Sequence, residues 1–285
     1  MISSIPISRK FRTTYALYVA LFFLYLLLPL LVVILFSFND SLFPSLPWKG
    51  VTFDWYLGTQ EPRLGIFHDS ELLNGVWTSV IVALATTFLS LAVALCNAFL
   101  FERENFWGKN FLYIMMLVPL VIPGVILGVS ILIFSSSVAN NMDDLFGIDI
   151  ESLRPGLLLV VLGQFAFITT ISTLVISARL RKFDLSLEEA ALNLGATRMG
   201  AVMTITLPYL KPAIIGAGIV SFLMSFENFN TTLMLVGSDA PLTIAMFDRL
   251  REGSTPVINA TSTLLMLFSG LLAGISIFVQ RRPAE

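Results

Sequence analysis

Six long apolar runs constrain the fold of this chain more than any other feature. Each run has roughly 20 or more residues, which is enough for a helix to cross the hydrocarbon core of a bilayer. The runs are continuous rather than short and alternating, which excludes a transmembrane β-barrel. The predicted fold is therefore an all-α integral membrane protein with six transmembrane helices, at about 15–38, 76–101, 111–135, 156–178, 213–236 and 257–279.

The rest of the composition excludes several kinds of site. Only 13% of the residues are charged and 56% are hydrophobic, with a mean hydropathy of +0.86. Because Cys96 is the sole cysteine, neither an intrachain disulfide nor a cysteine-based metal site can form. The single histidine, His68, is expected to be solvated in a polar loop. The net charge of −2 gives no indication of nucleic-acid binding, and no nucleic-acid partner, metal or cofactor is expected on this chain.

The lysines and arginines predict how the chain is oriented. With the N-terminus in the cytoplasm, twelve of the 17 basic residues lie in cytoplasmic segments and five lie in outer loops. This asymmetry follows the positive-inside rule and places both termini in the cytoplasm. The cytoplasmic cations include Arg9, Lys10 and Arg12 before the first span, and Arg281 and Arg282 after the last one.

Glycines and prolines within the spans suggest where helices approach one another. Gly124 and Gly128 lie four residues apart in the third span, and Gly270 and Gly274 have the same spacing in the sixth. Small residues at this spacing allow close helix packing. Pro119 and Pro123 free backbone carbonyls within the third span, so a neighbouring helix or a water-filled cavity has to satisfy those groups.

A long polar stretch between the fourth and fifth spans interrupts the apolar pattern at residues 184–208. Asp184 or Ser186 can cap a first short helix, and Ser186 with Glu189 fits a capping box. Gly195 fits the left-handed residue that ends this helix, and Thr197 can cap a second one, which Pro208 is expected to end at Leu207. The result is two short helices whose alanine surface suits a groove on another protein, although an amphipathic helix lying on the membrane also fits.

The spacing within this stretch resembles the EAA motif of ABC importer permeases. Glu189-Ala190-Ala191 is followed by three residues, Gly195, nine residues and then Ile205-Thr206-Leu207-Pro208. The full pattern is specific, whereas the three letters EAA alone would not be. Further similarity to the second permease (PotC-like) of spermidine/putrescine importers extends along nearly the whole chain, and includes Ser177-Ala178-Arg179-Leu180 and Ser225-Phe226-Glu227.

This resemblance implies a type I importer permease (MetI-like) fold, with residues 1–285 as a single permease domain in the bacterial inner membrane. It also implies that residues 184–208, hereafter the coupling segment, contact the ATPase. The implied partners are a second homologous permease, an ABC ATPase dimer and a periplasmic solute-binding protein. The residues expected to couple are Glu188, Glu189, Ala190, Ala191, Gly195, Ala196, Ile205, Leu207 and Pro208.

The chain itself lacks a phosphate-binding loop. Gly108-Lys109-Asn110 does not fit the pattern G-x-x-x-x-G-K-[ST], and no zinc spacing or nucleophile elbow is present. The chain is therefore expected to be a transport subunit rather than an enzyme. ATP and Mg²⁺ would bind to the separate ATPase.

Glu227 is the one acid that we place within a predicted span. A charged group in lipid costs about 2.5–3.5 kcal/mol on insertion scales, so it should face a cavity or a partner. Nearby aromatic rings can hold organic cations, which favours a pathway for an amine-bearing solute. A carboxylate that is protonated or bonded to the second permease is the alternative, and interhelical hydrogen bonding is the alternative for the polar residues of the fourth span. The candidate pathway residues are Glu227, Asn228, Thr231, Thr232, Phe226, Gln164, Thr170 and Pro123.

Two other functions compete with an ATP-driven permease. An ion-coupled secondary transporter could use Glu227 as a proton or cation site, and would transport without any ATPase. A membrane enzyme would need a constellation of catalytic residues, and the sequence has no recognisable one. An ATP-driven permease is the expectation that best fits the motif, while the exact solute stays open.

Overall fold

The structure is a computed structural model that describes residues 9–44, 46–253 and 255–281. Its regular elements in these ranges are all helices, and the ranges contain no extended strand beyond an isolated bridge between Asn39 and Val51. A π-helical turn, Val202–Thr206, joins two of the helices. The α-helices are α1 (Arg9–Phe36), α2 (Asp54–Leu57), α3 (Ser70–Arg103), α4 (Lys109–Val121), α5 (Gly124–Phe146), α6 (Leu157–Leu180), α7 (Ser186–Asn193), α8 (Arg198–Ala201), α9 (Leu207–Phe226), α10 (Asn230–Leu235), α11 (Leu242–Glu252) and α12 (Pro256–Arg281).

Six helical stretches in the described residues are long and apolar enough to cross a membrane. This confirms the predicted all-α fold with six candidate transmembrane helices. The stretches are Lys10–Phe36, Ser70–Arg103, Gly124–Phe146, Leu157–Leu180, Arg198–Phe226 and Pro256–Phe278. Residues 1–8 and 282–285 lie outside the described residues, and so do the side chains of Arg9 and Arg281, which contribute to the predicted orientation.

The chain forms two compact units. The first unit contains the residues up to Ser70 together with Arg249–Leu267. In it, α1 exposes apolar side chains along most of its length, as expected for a helix that faces lipid. The loop after α1 is anchored by buried contacts, because Trp55 Nε1 donates to the Asn39 carbonyl at 2.8 Å and the Tyr56 hydroxyl to Ser37 Oγ at 2.7 Å.

The second unit, Glu71–Asp248 with the chain from Phe268 onward, has α6 at its centre. α6 packs against both α9 and α10. One apolar cluster lies near the junction of α6 with the coupling segment, and a second lies near the start of α6. The first contains Ala94, Ala98, Ile176, Leu180, Phe183, Leu210 and Ala217, and the second contains Val82, Leu159, Val160 and Leu235.

Buried hydroxyl groups also join the helices of the second unit. Ser172 of α6 and Ser221 of α9 share a hydrogen bond of 2.6 Å, and Thr169 of α6 donates to Ser90 of α3 at 3.3 Å. Lipid offers no hydrophobic force between helices, so small side chains and interhelical hydrogen bonds hold such a bundle together. The polar residues of α6 therefore contribute directly to packing.

The third predicted span, 111–135, coincides with two helices rather than one. α4 ends at Val121, and Ile122 and Pro123 adopt extended backbone angles before α5 begins at Gly124. The residue before a proline avoids the α-helical region, which explains the break at Ile122. Pro119 remains inside α4. The Met116 carbonyl, in the turn before Pro119, accepts a hydrogen bond from Thr170 Oγ1 at 2.6 Å, so α6 contacts the backbone of α4 at this point.

The second short helix of the coupling segment does not end at Leu207, and the prediction that Pro208 stops it is wrong. Helical structure runs from Arg198 to Phe226, through α8, the π-helical turn and α9. Pro208 has no N–H and its ring crowds the carbonyl four residues earlier. The wider π-helical turn directly before it relieves that conflict, as single π turns within α-helices do. The coupling segment is thereby joined to the fifth span without a loop.

The fifth span is also shorter than predicted at its other end. α9 stops at Phe226, residues 227–229 are not helical, and α10 begins at Asn230. Asn228 Oδ1 accepts hydrogen bonds from the backbone N–H of Thr232 at 3.2 Å and from its hydroxyl at 3.1 Å. An asparagine side chain that binds nearby backbone competes with helical hydrogen bonding, which accounts for the interruption.

Candidate functional site

The first helix of the coupling segment is positioned by a carboxylate cap. Asp184 Oδ1 accepts from the Ser186 N–H at 3.0 Å, and this backbone hydrogen bond and one from the Ser186 side chain lower the pKa of Asp184. Helix α7 begins at Ser186 itself, with Leu185 at the N-cap position. The predicted Ser186–Glu189 capping box is therefore wrong, because Ser186 lies inside the helix. The carboxylate of Asp184, one residue before the N-cap position, accepts the first N–H of the helix instead.

The turn after α7 matches its prediction in detail. Gly195 has a φ of +91°, in the left-handed region. The Gly195 N–H donates to the Leu192 carbonyl and the Ala196 N–H to the Ala191 carbonyl, each at 3.0 Å, which together form a Schellman motif. Thr197 Oγ1 then accepts from the Gly200 N–H at 3.0 Å and caps α8, as predicted. Local hydrogen bonds thus fix the angle between α7 and the helix that follows.

The coupling segment presents a largely apolar exposed surface. Leu194 is 89% exposed and Met199 65%, and Leu187 and Met203 are each about half exposed. Side chains of this kind, in a segment flanked by charged residues, suit docking to another protein. Of the nine residues predicted to couple, Glu189, Ala190, Gly195, Ala196 and Pro208 are exposed, whereas Glu188, Ala191, Ile205 and Leu207 are half-buried.

The two adjacent carboxylates of α7 point in different directions. Glu189 is exposed, whereas the side chain of Glu188 is 18% exposed and pairs with Arg103 at the end of α3. The hydroxyl of Thr206 in the π-helical turn donates to Glu188 Oε1. Sequence reasoning missed Arg103 and Thr206 as partners, because nothing in local spacing links Glu188 to a residue 85 positions earlier.

Glu227 lies at the C-terminal end of α9 with its side chain exposed. The hydroxyl of Ser269 in α12 donates to Glu227 Oε1. Next to it, Phe226 stacks on Phe222 at a centroid distance of 5.7 Å, and the Phe268 ring lies at 5.7 Å from Phe226. A carboxylate beside aromatic rings is an arrangement that attracts organic cations. Neither Ser269 nor Phe268 was predicted, since they lie on another helix.

Most of the other candidate pathway residues are buried and hydrogen-bonded within the chain. Gln164 Nε2 donates to Thr232 Oγ1 at 2.9 Å, and Gln164 Oε1 accepts from the Ser225 hydroxyl. Asn228, which is half-buried, holds Thr232 from the other side. These contacts tie α6, α9 and α10 together, which corresponds to the interhelical alternative of the sequence analysis.

The remaining candidates lie near the break between α4 and α5. Thr170 is buried and bonded to the Met116 carbonyl, and Thr231 is buried with its hydroxyl 3.3 Å from the Gly124 carbonyl. Pro123 is exposed at the N-cap of α5. Thr231 does not share a helical face with Glu227, because the helix is interrupted between them, and Thr231 is buried whereas Glu227 is exposed.

Comparison with known proteins identifies the family. Residues 95–282 match the family described as "Binding-protein-dependent transport system inner membrane component". The chain belongs to this family. It is 31% identical over 265 residues to the putrescine transport system permease protein PotI of Escherichia coli (strain K12), covering 92% of this chain and 89% of that protein. It is 27% identical to the spermidine/putrescine transport system permease protein PotC of Haemophilus influenzae (strain ATCC 51907 / DSM 11121 / KW20 / Rd), covering 90% and 93%.

Solved structures show that this permease shares its fold with other importers. A bacterial ABC transporter involved in the import of the acidic polysaccharide alginate has a chain that matches with a TM-score of 0.71 at 16% identity, covering 97% of this chain and 99% of that chain. The MetNI methionine ABC transporter matches with a TM-score of 0.56 at 19% identity, covering 74% and 94%. The chain is a multi-pass inner-membrane transport permease with an ABC importer fold, and this family does not favour the ion-coupled carrier considered above.

Proposed function

We propose that this permease is one half of the membrane channel of an ATP-driven importer for a polyamine or a related solute that carries amino groups. The coupling segment carries this proposal. It contains the complete EAA pattern, and it forms an exposed helix and turn with exposed apolar side chains such as Leu194. The relatives named as putrescine and spermidine/putrescine permeases support the class of solute.

The same proposal assigns the partners of the chain. A second permease completes the channel, a solute-binding protein delivers the solute from outside, and a dimer of ABC ATPase subunits docks on residues 184–208. ATP and Mg²⁺ bind to that ATPase, since this chain has no phosphate-binding loop. Both termini then lie in the cytoplasm, in agreement with the distribution of lysine and arginine, and the chain acts as a single permease domain.

For the solute pathway, we assign contact with the solute to Glu227 and to the adjacent rings of Phe222 and Phe268. Glu227 is exposed and is held by a single neutral donor, Ser269, so its charge is not paired with a cation of this chain among the described contacts. Phe226 supports these rings from a buried position. The candidates Asn228, Thr231, Thr232, Gln164 and Thr170 position the helices around the pathway, and Pro123 shapes its wall at the break after α4.

Reconstitution into vesicles tests the importer directly. Vesicles that contain the complete complex should take up radiolabelled putrescine when ATP is present on the side of the membrane that the ATPase faces. The complex consists of this permease, its partner permease, the ATPase and the binding protein. The same vesicles without the ATPase should show no uptake, with or without a proton gradient. Uptake by this chain alone, driven by a gradient, would contradict the proposal and support a secondary carrier.

Replacement of the pathway carboxylate gives a second prediction. Glu227→Gln should raise the KM for putrescine by roughly fivefold to tenfold, because a charged hydrogen-bonding group contributes about 1.5–3 kcal/mol, part of which the amide retains. The control is Glu151→Gln, the same change at an exposed carboxylate in a short 3₁₀ turn. It should leave KM within twofold of the unaltered value. Equal KM values for Glu227→Gln and the control would instead assign Glu227 to contact with the second permease.

A further inference from the structure

The contacts around Glu188 join three separate parts of the second unit. Arg103 Nη2 lies 3.0 Å from Glu188 Oε1, and Arg103 Nη1 lies 3.3 Å from Glu188 Oε2. Both side chains are about one-fifth exposed, at 19% and 18%. The buried hydroxyl of Thr206 donates to Glu188 Oε1. A single carboxylate therefore connects α7 to the end of α3 and to the π-helical turn that leads into α9.

Arg103 is itself fixed in place by the packing around it. Its guanidinium lies over the ring of Phe183, 5.4 Å from the centroid. Phe183 is buried in the apolar cluster with Ala98 and Leu180, and packs edge-on against Tyr209 of α9 at 5.2 Å. Because a planar guanidinium can stack on a ring and bind a carboxylate through two N–H groups at once, its orientation is set by both contacts.

These contacts divide the roles of the two neighbouring carboxylates. Glu188 has a charged partner and a hydroxyl donor inside the chain, so it is not available to a docked protein in this arrangement. Glu189 is exposed and remains on the surface that faces the proposed ATPase. Among the described residues, the contacts of Glu188 are the hydrogen bonds and ion pair that join α7 to α3 and to the π-helical turn, and the turn at Gly195 is exposed. Side-chain contacts are therefore needed to make α7 move together with α3.

We infer that Glu188, Arg103 and Thr206 form a clamp, hereafter the Glu188 clamp, that fixes the coupling helix to two membrane-spanning helices at once. A displacement of α7 then reaches α3 through Arg103, and reaches α9 through Thr206. Glu188 is a positioning residue, since it touches neither nucleotide nor solute. This inference rests on the proposed function, because it assumes that an ATPase displaces α7.

Variants of the clamp in the full importer complex test this inference. In vesicles, Arg103→Gln and Glu188→Gln should each lower the amount of putrescine taken up per ATP hydrolysed by roughly tenfold, within the range typical of coupling between distant sites. Basal ATP hydrolysis should stay within twofold in Arg103→Gln, which alters no residue of the coupling segment. Arg181→Gln is the matched control, because it breaks the 2.8 Å ion pair with Glu102, the residue next to Arg103, without involving α7. It should retain the unaltered ratio.

Charge reversal separates the clamp from a general loss of folding. The double variant Arg103→Glu with Glu188→Arg should recover most of the lost coupling ratio, whereas each single reversal should not. Arg103→Lys should keep only part of the unaltered coupling ratio, since an ammonium group cannot reproduce the two-point contact. If the double reversal couples no better than the single ones, the clamp is not the reason for the loss and the inference fails.

Hydrogen exchange on the isolated chain in nanodiscs gives a measurement that needs no transport. The backbone amides of residues 186–193 should exchange faster in Arg103→Gln and Glu188→Gln than in the unaltered chain, while Arg181→Gln should match the unaltered chain. Unchanged exchange together with an unchanged coupling ratio would overturn the inference. If the unaltered complex takes up no putrescine, the proposed function fails, and the exchange comparison still decides whether the clamp exists.

Discussion

Gly195→Val should abolish putrescine uptake by the complex while leaving the permease inserted in the membrane. Gly195 has a φ of +91°, where an L-amino acid with a branched Cβ is strained by about 1–3 kcal/mol. A Cβ at this position would meet no atom within 4 Å, so the effect comes from the backbone and not from a clash. The strain disrupts the Schellman motif and changes the angle between α7 and the helix that begins at Arg198. Solute-stimulated ATP hydrolysis and uptake in the same vesicles measure the loss.

Gly108→Val is the matched control for this variant. Gly108 has a φ of +85°, and a Cβ there would also meet nothing within 4 Å, but it caps α4 outside the coupling segment. The Gly108→Val variant should have the same backbone strain and should retain solute-stimulated ATP hydrolysis. Gly195→Asn should be intermediate, since asparagine tolerates the left-handed region better than valine. Full uptake in Gly195→Val would remove the coupling role from this turn.

Local hydrogen bonding explains why the turn of the coupling segment could be predicted from sequence. The left-handed Gly195 and the Thr197 cap depend on partners within five residues, so the spacing of residue types is sufficient to identify them. The choice between Asp184 and Ser186 as the first cap was less determined, because both can accept hydrogen bonds and the helix start differs by a few residues between them.

Helix ends within the membrane were harder to predict, because proline and asparagine act there in different ways. Pro123 ends a helix while Pro119 does not, and Pro208 continues a helix through a π-helical turn. Composition alone does not distinguish these outcomes, since each depends on whether neighbouring groups can satisfy the freed carbonyls. Asn228 interrupts the fifth span through a side-chain bond to Thr232, which hydropathy averaged over a window cannot detect.

The partners of the candidate site residues depend on contacts between distant parts of the chain. Glu227 and Glu188 were both singled out from sequence, but Ser269, Arg103 and Thr206 were not. Each of these partners belongs to a different helix or turn, at separations of 42, 85 and 18 residues. The pattern of apolar residues predicts where the helices are. The register at which two helices meet is set by packing of the whole bundle, so the side chains that contact each other are not predicted in the same way.

Gly128→Val should sharply destabilise the chain, whereas Gly274→Val should leave its own stability nearly unchanged. A Cβ at Gly128 would lie 2.9 Å from Met234 Cβ and 3.1 Å from the Thr231 carbonyl oxygen, so α10 would have to move away from α5. Overpacking of this kind costs about 1–3 kcal/mol, and here it would also strain the hydrogen bond of Thr231 to Gly124. At Gly274 a Cβ would meet no atom within 4 Å.

These two glycines form a matched pair, because each is the second member of a small-residue pair with four-residue spacing and each lies within a helix. Thermal unfolding of the purified full-length chain in detergent should show a lower midpoint and a lower folded yield for Gly128→Val only. The helix-propensity change from glycine to valine is common to both variants, so the difference between them isolates the contact with α10. Equal unfolding midpoints for the two variants would mean that α10 can move away from α5 without loss of stability. The position of the residues after Glu227 would then not depend on this contact.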